Sequence, residues 1–455
     1  MQVRGKNFSV IGGARSGRAV ARLLQLHGAA VFLSDSAPDT GMGEAKAELD
    51  RLGIPYEFGE NSARVLHAEC LVLSPGVPSD APRVREALAR GLAVVSEIEV
   101  ASWYCPSPIV AITGTNGKTT TTTLTGRMFT DAKRPCVVAG NIGTAFSQFV
   151  STMTKDQTAI LEISSFQLDF IASFRPSVAV LLNITPDHLN RYGQSFEKYI
   201  DAKCRIFEQQ REGDTLIYNL DDEVTRKAVE GRAPRGVRLL PFSIEAPSTS
   251  GAFVRDGFLT TSVEGKVSAV VATEAISIPG RHNLYNAMAA TLAATTSGIP
   301  AASLRATLKD FKGVEHRLEF VRELDGVTYV NDSKGTNVDA VWYALQSYHT
   351  PIILLLGGRD KGNDYRRLFD LVRKNVKAIV AIGESADTVV EAFTRMTTVT
   401  KASSMEEAVS RAAGLASPGD VVLLSPACAS FDWFENYEHR GRVFKQAVAT
   451  LEARA

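Results

Sequence analysis

The chain predicts an α/β protein of three domains, and three observations carry that. At 455 residues it is too long for one compact core, so two to four domains are expected. Short apolar runs of strand type alternate with helical stretches along most of its length. Those runs end repeatedly in Gly-rich or polar turns, where α/β folds place ligand loops. The domains are placed at residues 1–97, 98–313 and 314–455.

Composition narrows the class. Apolar and charged fractions of 45% and 22% are ordinary for a soluble globular protein. A formal net charge of +0 argues against a nucleic-acid partner or a basic membrane patch, and leaves a small anionic substrate open. Five scattered cysteines, without a Cys-x-x-Cys spacing, fit reduced thiols in a cytoplasmic compartment. After Arg4 and Lys6 the apolar run is broken by Gly12 and Gly13, which is not a signal-peptide pattern. No run approaches the ~20 apolar residues that span a bilayer.

In the first domain, Phe8-Ser9-Val10-Ile11 reads as a strand followed by Gly12-Gly13-Ala14-Arg15-Ser16-Gly17. A helix with Ala19, Val20, Leu23, Leu24 and Leu26 comes next, then a strand from Ala30 that ends at Asp35. This is a Rossmann-like βαβ unit with an acid at the tip of its second strand. Ala14 replaces the middle glycine of the dinucleotide fingerprint, so the signal for NAD is weak and that for a nucleotide diphosphate fair. Asp35 either accepts from a sugar hydroxyl or is an ordinary strand-end acid. Leu71-Val72-Leu73 runs into Ser74-Pro75-Gly76-Val77, another strand tip, and Val94-Val95-Ser96 closes the domain before Glu97.

The central domain opens on Ile109-Val110-Ala111-Ile112-Thr113, a strand that feeds Gly114-Thr115-Asn116-Gly117-Lys118-Thr119-Thr120. That is the layout of a phosphate-binding loop, the alternative being a polar strand-to-helix turn that binds nothing: backbone N–H groups and a helix N-terminus would face phosphate, the lysine would reach its outer oxygens, and Thr119 can hold Mg²⁺. The domain is thus P-loop ATPase-like, with a mainly parallel sheet. Cys136-Val137-Val138-Ala139 leads into Gly140-Asn141. Thr158 to Ser165 carries Glu162 within an apolar strand; such a charge needs a partner, a metal or a lysine. A buried-type strand from Val178 delivers Thr185-Pro186-Asp187-His188 to the edge of the same sheet, which favours a function for His188. A helix is predicted over Phe196 to Gln209, with Ile200, Cys204 and Phe207 as its apolar stripe and Lys203 snorkelling at the edge. Asn283 and Asn286 share one face of a later helix, able to hold a purine edge or phosphate, or to cap the helix. Residues 211–275 carry no usable motif.

The last domain is a Rossmann-like α/β unit with a parallel sheet. Its strand tips are Asn331-Asp332-Ser333-Lys334-Gly335-Thr336-Asn337, Gly357-Gly358-Arg359-Asp360-Lys361, Gly383-Glu384-Ser385, and Ser425 to Phe431. Lys334, Lys361 and Ser430 on three such tips suggest an anion site.

Taken together, the motifs resemble those of the Mur ligase family of ATP-dependent peptide-bond-forming enzymes. They are Gly-Thr-Asn-Gly-Lys-Thr-Thr, Leu-Glu-Ile-Ser-Ser-Phe-Gln-Leu, Asn-Ile-Thr-Pro-Asp-His-Leu, Gly-Arg-His-Asn, Glu-His-Arg-Leu-Glu, Asn-Asp-Ser-Lys-Gly-Thr-Asn and Leu-Leu-Leu-Gly-Gly. The tail Leu-Ser-Pro-Ala-Cys-Ala-Ser-Phe-Asp-Trp-Phe-Glu-Asn-Tyr and the first domain resemble the branch that adds D-glutamate in peptidoglycan synthesis. The Asp-Asn-Pro-Arg segment that marks the diaminopimelate-adding relatives is not present.

The resemblance implies roles. Ser16, Asp35, Ser74 and Gly76 match positions that hold the uridine diphosphate of UDP-N-acetylmuramoyl-L-alanine, and Asn141 a further substrate-binding position. ATP lies between the central and last domains, against Gly114 to Thr120, Asn283, Asn286, Arg317 and Asp332. Thr119, Glu162 and His188 match Mg²⁺ ligands, and Lys203 the lysine whose carbamate helps hold a second ion. Lys334, Thr336, Lys361, Ser430, Phe431 and Tyr437 match the D-glutamate pocket. Phe431 stands where leucine is more usual; Gly335 stands where alanine is common, a difference expected to matter little. Lys118, His188, Lys203, Arg317 and Lys334 are the catalytic set. The implied path is an acyl phosphate made from ATP with two Mg²⁺ ions, then attack by the amino acid, with the last domain closing over ATP. The protein is expected to be cytoplasmic and a monomer.

Three rivals stay open. A sister muramyl ligase or folylpolyglutamate synthase shares the ATP chemistry. An NAD-dependent oxidoreductase rests on the first domain alone and is opposed by Ala14. A nucleotide-sensing binding protein is opposed by the presence of Glu162, His188, Lys203 and Lys334 together.

Overall fold

A computed structural model describes residues 3–38, 40, 42–246, 249–348, 350–360 and 362–453. Lys361, expected in the D-glutamate pocket, lies outside the described residues. Two compact units are formed, one by residues 1–275 with 285–309, the other by 276–284 with 310–455.

The first unit holds two sheets. In the first, β1 (Asn7–Ile11), β2 (Ala30–Asp35), β3 (Tyr56–Phe58), β4 (Cys70–Leu73) and β5 (Ala93–Ser96) are all parallel, in the order β3-β2-β1-β4-β5. The strand order reverses between β1 and β4, which opens a crevice beyond their C-terminal ends. The helix Arg15–Leu26 covers this sheet with Val20, Leu23 and Leu24.

The second sheet contains β6 (Ile109–Thr113), β7 (Cys136–Gly140), β8 (Thr158–Glu162), β9 (Val178–Leu181), β10 (Thr215–Asn219), β11 (Arg238–Ser243), β12 (Gly251–Arg255), β13 (Phe258–Val263) and β14 (Lys266–Ala272). Its order is β14-β13-β12-β11-β10-β9-β6-β8-β7. From β7 to β12 the pairing is parallel, and β12, β13 and β14 are antiparallel. The stretch that shows no chemical motif therefore extends the sheet. Asp256-Gly257 and Glu264-Gly265, with φ of 49°, 76°, 52° and 75°, make the two tight hairpin turns.

One apolar core runs under both sheets, bringing Val20 and Leu24 together with Phe146 and Val150. The connecting helix Glu97–Ser102 is tied down by two buried acids. Glu97 Oε1 accepts from Ser147 N–H at 2.6 Å, and Glu99 accepts from the N–H groups of Ala172, Ser173 and Phe174.

The second unit holds β15 (Glu319–Leu324), β16 (Val327–Asn331), β17 (Ile352–Gly357), β18 (Val376–Ile382), β19 (Thr398–Lys401) and β20 (Val421–Leu424), in the order β15-β16-β20-β17-β18-β19. The parallel sheet predicted here is observed from β16 to β19. It gains an antiparallel edge strand, β15, because Asp325-Gly326 turns the chain back at φ 53° and 72°.

Candidate active site

The phosphate loop is built by β6, whose residues are all buried, and by the helix Lys118–Asp131. Gly117 sits at the N-cap in the left-handed region, and no side chain caps the helix. A helix N-terminus of this kind is suited to an anion. Lys118 Nζ donates to Gly114 O at 2.9 Å and Thr115 O at 2.8 Å. A Cβ on Gly117 would stand 2.2 Å from Asn286 Oδ1, so Asn286 braces the loop from below. Sequence reasoning misses Asn183. Its Oδ1 accepts from Asn116 N–H at 2.9 Å and its Nδ2 donates to Asn116 O at 3.0 Å, which clamps the loop. Its place at the head of Asn-Ile-Thr-Pro-Asp-His is the signal that could have found it.

Register brings the other groups to the same sheet edge. Glu162 pairs with Ile112 across β8 and β6, and Leu181 with Thr113 across β9 and β6. Glu162 is the last residue of β8; it is buried, and its Oε1 accepts from Asn141 Nδ2 at 3.0 Å. Asn141, expected at the UDP-substrate, therefore contacts this carboxylate. His188 follows β9 with φ 53°, and its ring packs edge-on against Phe166 at 5.0 Å. Lys203 is not a snorkelling residue: it is 1% exposed, and its Nζ donates to Gly114 O at 2.8 Å. The helix Phe196–Cys204 packs against the phosphate loop, so the lysine is drawn in rather than out. Burial, then the neighbouring Lys118 ammonium, push the Lys203 ammonium well below the ordinary lysine value. A buried carboxylate and the Thr119 hydroxyl at this edge suit a hard cation, with His188 adding a nitrogen.

The crevice between β1 and β4 contains the expected diphosphate residues. Gly12 has φ 100°, and a Cβ there would meet Ser74 Cβ at 2.7 Å. Ser74 Oγ donates to Gly12 O at 3.0 Å. A Cβ on Gly17 would lie 1.7 Å from Gly12 O, which is the close helix–strand approach of a nucleotide-binding turn. Asp35 Oδ2 accepts from Gly13 N–H at 2.5 Å. Ser16 lies half-buried in the first turn of the helix, again without a side-chain cap, and Gly76 is exposed.

In the second unit, β16, β20 and β17 are neighbours, so their tips converge. Lys334 Nζ lies 5.0 Å from the centre of the Tyr437 ring. Thr336 is half-buried, Ser430 is buried and Phe431 is 62% exposed. A further residue not foreseen is Arg440, which is 1% exposed. It donates to Ser333 Oγ (2.9 Å), Ser333 O (2.7 Å) and Cys428 O (3.1 Å), fixing the loops that carry Lys334 and Ser430. Only its tertiary partners reveal this. Asp332 is buried, and its carboxyl is pushed up to about 6 by burial, against the Ser425 hydroxyl and the Arg317 charge. A Cβ on Gly335 would stand 2.5 Å from Asp332 Oδ2. Glycine at this position, expected to matter little, leaves that carboxylate room.

Arg317 lies between His316 and Leu318, at φ 65° and 43°, a strained backbone for non-glycine residues. Its Nε is buried without a hydrogen-bond partner among the described residues. Asn283 Nδ2 donates to Pro279 O at 2.7 Å. The Glu315-His316-Glu319 cluster is closed by Lys445, whose Nζ reaches Glu315 at 2.6 Å and Glu319 at 2.8 Å, and reads as an ion pair.

Residues 112–294 match the Mur ligase middle domain, and residues 316–428 the Mur ligase glutamate ligase domain. The chain is 50% identical, over 99% of both chains, to a UDP-N-acetylmuramoylalanine--D-glutamate ligase of Salinibacter ruber. It is 45% identical, over 99% of both chains, to a ligase of the same name from Chloroherpeton thalassium. A pseudomurein peptide ligase type C from Methanothermus fervidus shares the fold, with TM-score 0.61 at 18% identity over 98% of this chain and 100% of that one. With both domains matched and full-length relatives this similar, the chain belongs to the Mur ligase family.

Proposed function

We infer that this chain is an ATP-dependent ligase that joins D-glutamate to UDP-N-acetylmuramoyl-L-alanine in peptidoglycan biosynthesis, giving ADP and phosphate. The observation that carries the reading is full-length similarity, at 50% identity, to a ligase named for that reaction. The geometry supports it with an uncapped phosphate loop, on which Lys118 and Lys203 share the Gly114 carbonyl.

The alanyl carboxylate attacks the γ-phosphorus of ATP, and the acyl phosphate formed is then attacked by the amine of D-glutamate. A tetrahedral intermediate collapses to amide and phosphate. Lys118 exchanges its two loop carbonyls for phosphate oxygens, and Arg317 supplies a second cation. Mg²⁺, when bound, offsets phosphate charge and stabilises the transferring phosphoryl group. Thr119, Glu162 and His188 would hold one ion, and Lys203, once carbamylated, would help hold a second. The lowered basicity of Lys203 favours that modification. Its neutral amine adds to CO₂, a C–N bond forms, a proton leaves, and a cation becomes an anion. Ser16, Asp35, Ser74, Gly76 and Asn141 bind the UDP-substrate. Lys334, Thr336, Lys361, Ser430, Phe431 and Tyr437 bind D-glutamate. One chain supplies every residue named, so a monomer suffices. Among the described residues no helix is long and apolar enough to cross a membrane, and the proposed location is cytoplasmic.

The test is phosphate release from Mg·ATP with UDP-N-acetylmuramoyl-L-alanine, offering D-glutamate, L-glutamate, L-alanine and L-lysine in parallel. Release with D-glutamate alone, and a UDP-linked product of matching mass, is expected. Release with another amino acid refutes the acceptor, and no release with any of them refutes the reaction.

A further inference from the structure

Phe166, on the short helix Ser165–Leu168, follows Glu162 by four residues. His188 caps the turn Leu189–Tyr192, and within it Arg191 N–H donates to His188 O at 3.0 Å. The Phe166 ring is wedged between these two side chains. The Arg191 guanidinium stands over its face, 3.9 Å from the centre, and the His188 ring meets it edge-on, 5.0 Å between centres at 71°. Arg191 also reaches away from the ring: its Nη2 donates to Val77 O at 3.0 Å, on the loop after β4 that carries Ser74 and Gly76. Asp169 Oδ2, 3.8 Å from Arg191 Nε, balances the charge, and the arginine side chain is 11% exposed. The mechanism above uses neither Arg191 nor Phe166.

We propose that Arg191, stacked on Phe166, is a positioning residue that couples the donor-substrate loop 74–77 to the metal-ligand turn at His188. The proposal rests on the functional reading above. A hydrogen bond from a guanidinium to a carbonyl is directional, and a cation on an aromatic face is held in register. Movement of loop 77 when the diphosphate seats therefore moves Arg191, and with it the ring against which His188 packs. Coupling of this kind is reciprocal: Mg²⁺ must tighten donor binding by the factor by which donor tightens Mg²⁺ binding.

The experiment is calorimetric titration of the full-length protein with UDP-N-acetylmuramoyl-L-alanine, without ATP, with and without Mg²⁺. Wild-type protein is expected to bind the donor several-fold more tightly with Mg²⁺. Arg191→Gln should lose about tenfold in donor affinity together with the Mg²⁺ effect. Phe166→Leu should keep the metal-free donor affinity and lose the Mg²⁺ effect. Arg191→Lys keeps a donor for Val77 O without the planar stack, and should behave like Phe166→Leu. Thermal melting confirms that each variant is folded. The proposal is overturned if Mg²⁺ leaves wild-type donor affinity unchanged, if Arg191→Gln binds donor like wild type, or if Phe166→Leu retains the full Mg²⁺ effect. Wild-type protein that releases no phosphate with D-glutamate refutes the functional reading instead.

Discussion

Gly117→Ala tests the phosphate loop at its tightest point. Gly117 has φ 87°, and its added Cβ would stand 2.2 Å from Asn286 Oδ1. A left-handed alanine costs about 1–2 kcal/mol. Moving Asn286 aside also breaks its contact with Thr121 Oγ1 at 3.3 Å, worth about 1 kcal/mol. The loop geometry that presents N–H groups to phosphate is thus disfavoured by about 2–3 kcal/mol, or roughly 30- to 150-fold in ATP affinity. Calorimetry with a non-hydrolysable ATP analogue measures this directly. Asn286→Ala already lacks the Thr121 contact, so adding Gly117→Ala to it should cost only the dihedral part, about 1–2 kcal/mol or roughly 5- to 30-fold in ATP affinity. ATP affinity within twofold of wild type in Gly117→Ala would refute the reasoning, because neither the dihedral nor the contact would then govern the loop.

Lys203→Met removes a buried charge of similar shape. Phosphate release should fall at least 100-fold while the melting temperature stays or rises, because replacing a buried charge by an apolar group is often neutral or stabilising; a melting point several degrees lower would contradict this. For Asp332 the folded carboxyl sits at about 6 against an ordinary 3.8, so the folded state keeps a proton that the unfolded chain has lost. Stability therefore falls as pH rises through that window, by roughly 3 kcal/mol from Asp332, and urea titrations from pH 4 to 7 should show a fall smaller by about that amount in Asp332→Asn than in wild type, the remainder coming from Asp169, whose carboxyl burial also pushes up to about 6. Arg440→Met should cost about 3–5 kcal/mol and raise the KM for D-glutamate, leaving the KM for the UDP-substrate unchanged in steady-state assays.

Most of the fold is legible in the sequence because it depends on local signals. Apolar runs ending in glycine-rich or polar turns locate β1, β4, β6, β9, β16, β17 and β20, and the phosphate loop is contiguous in sequence. The hairpins of β12 to β14 and the edge strand β15 carry a local signal of another kind. Asp256-Gly257, Glu264-Gly265 and Asp325-Gly326 are two-residue turns between alternating runs, a strong hairpin signal. Other features could not be read in advance. Lys203 at the edge of an apolar stripe looks like a solvated lysine until the helix is docked on Gly114. Asn183 and Arg440 act on backbone atoms 67 and 107 residues away, and pattern carries no information about such partners.

The way these cations are held bears on what they do. Lys203 bonds Gly114 O, and Arg440 bonds Ser333 O and Cys428 O, so each is fixed by backbone carbonyls. A carbonyl fixes a cation without cancelling its charge. At Gly114 the arrangement goes further. Lys118 and Lys203 bond the same oxygen at 2.9 and 2.8 Å, which keeps the two nitrogens within about 6 Å. At an effective dielectric of about 20 and a separation of about 5 Å, two ammonium groups repel by roughly 3 kcal/mol. That repulsion is part of why Lys203 gives up its proton more readily than an ordinary lysine. In the carbamylation proposed above, the same pair changes from like to opposite charge, so repulsion turns to attraction of similar size. A modification at Lys203 would then hold Lys118 as well as a metal, and the phosphate loop would be set for ATP by chemistry on a helix 89 residues away.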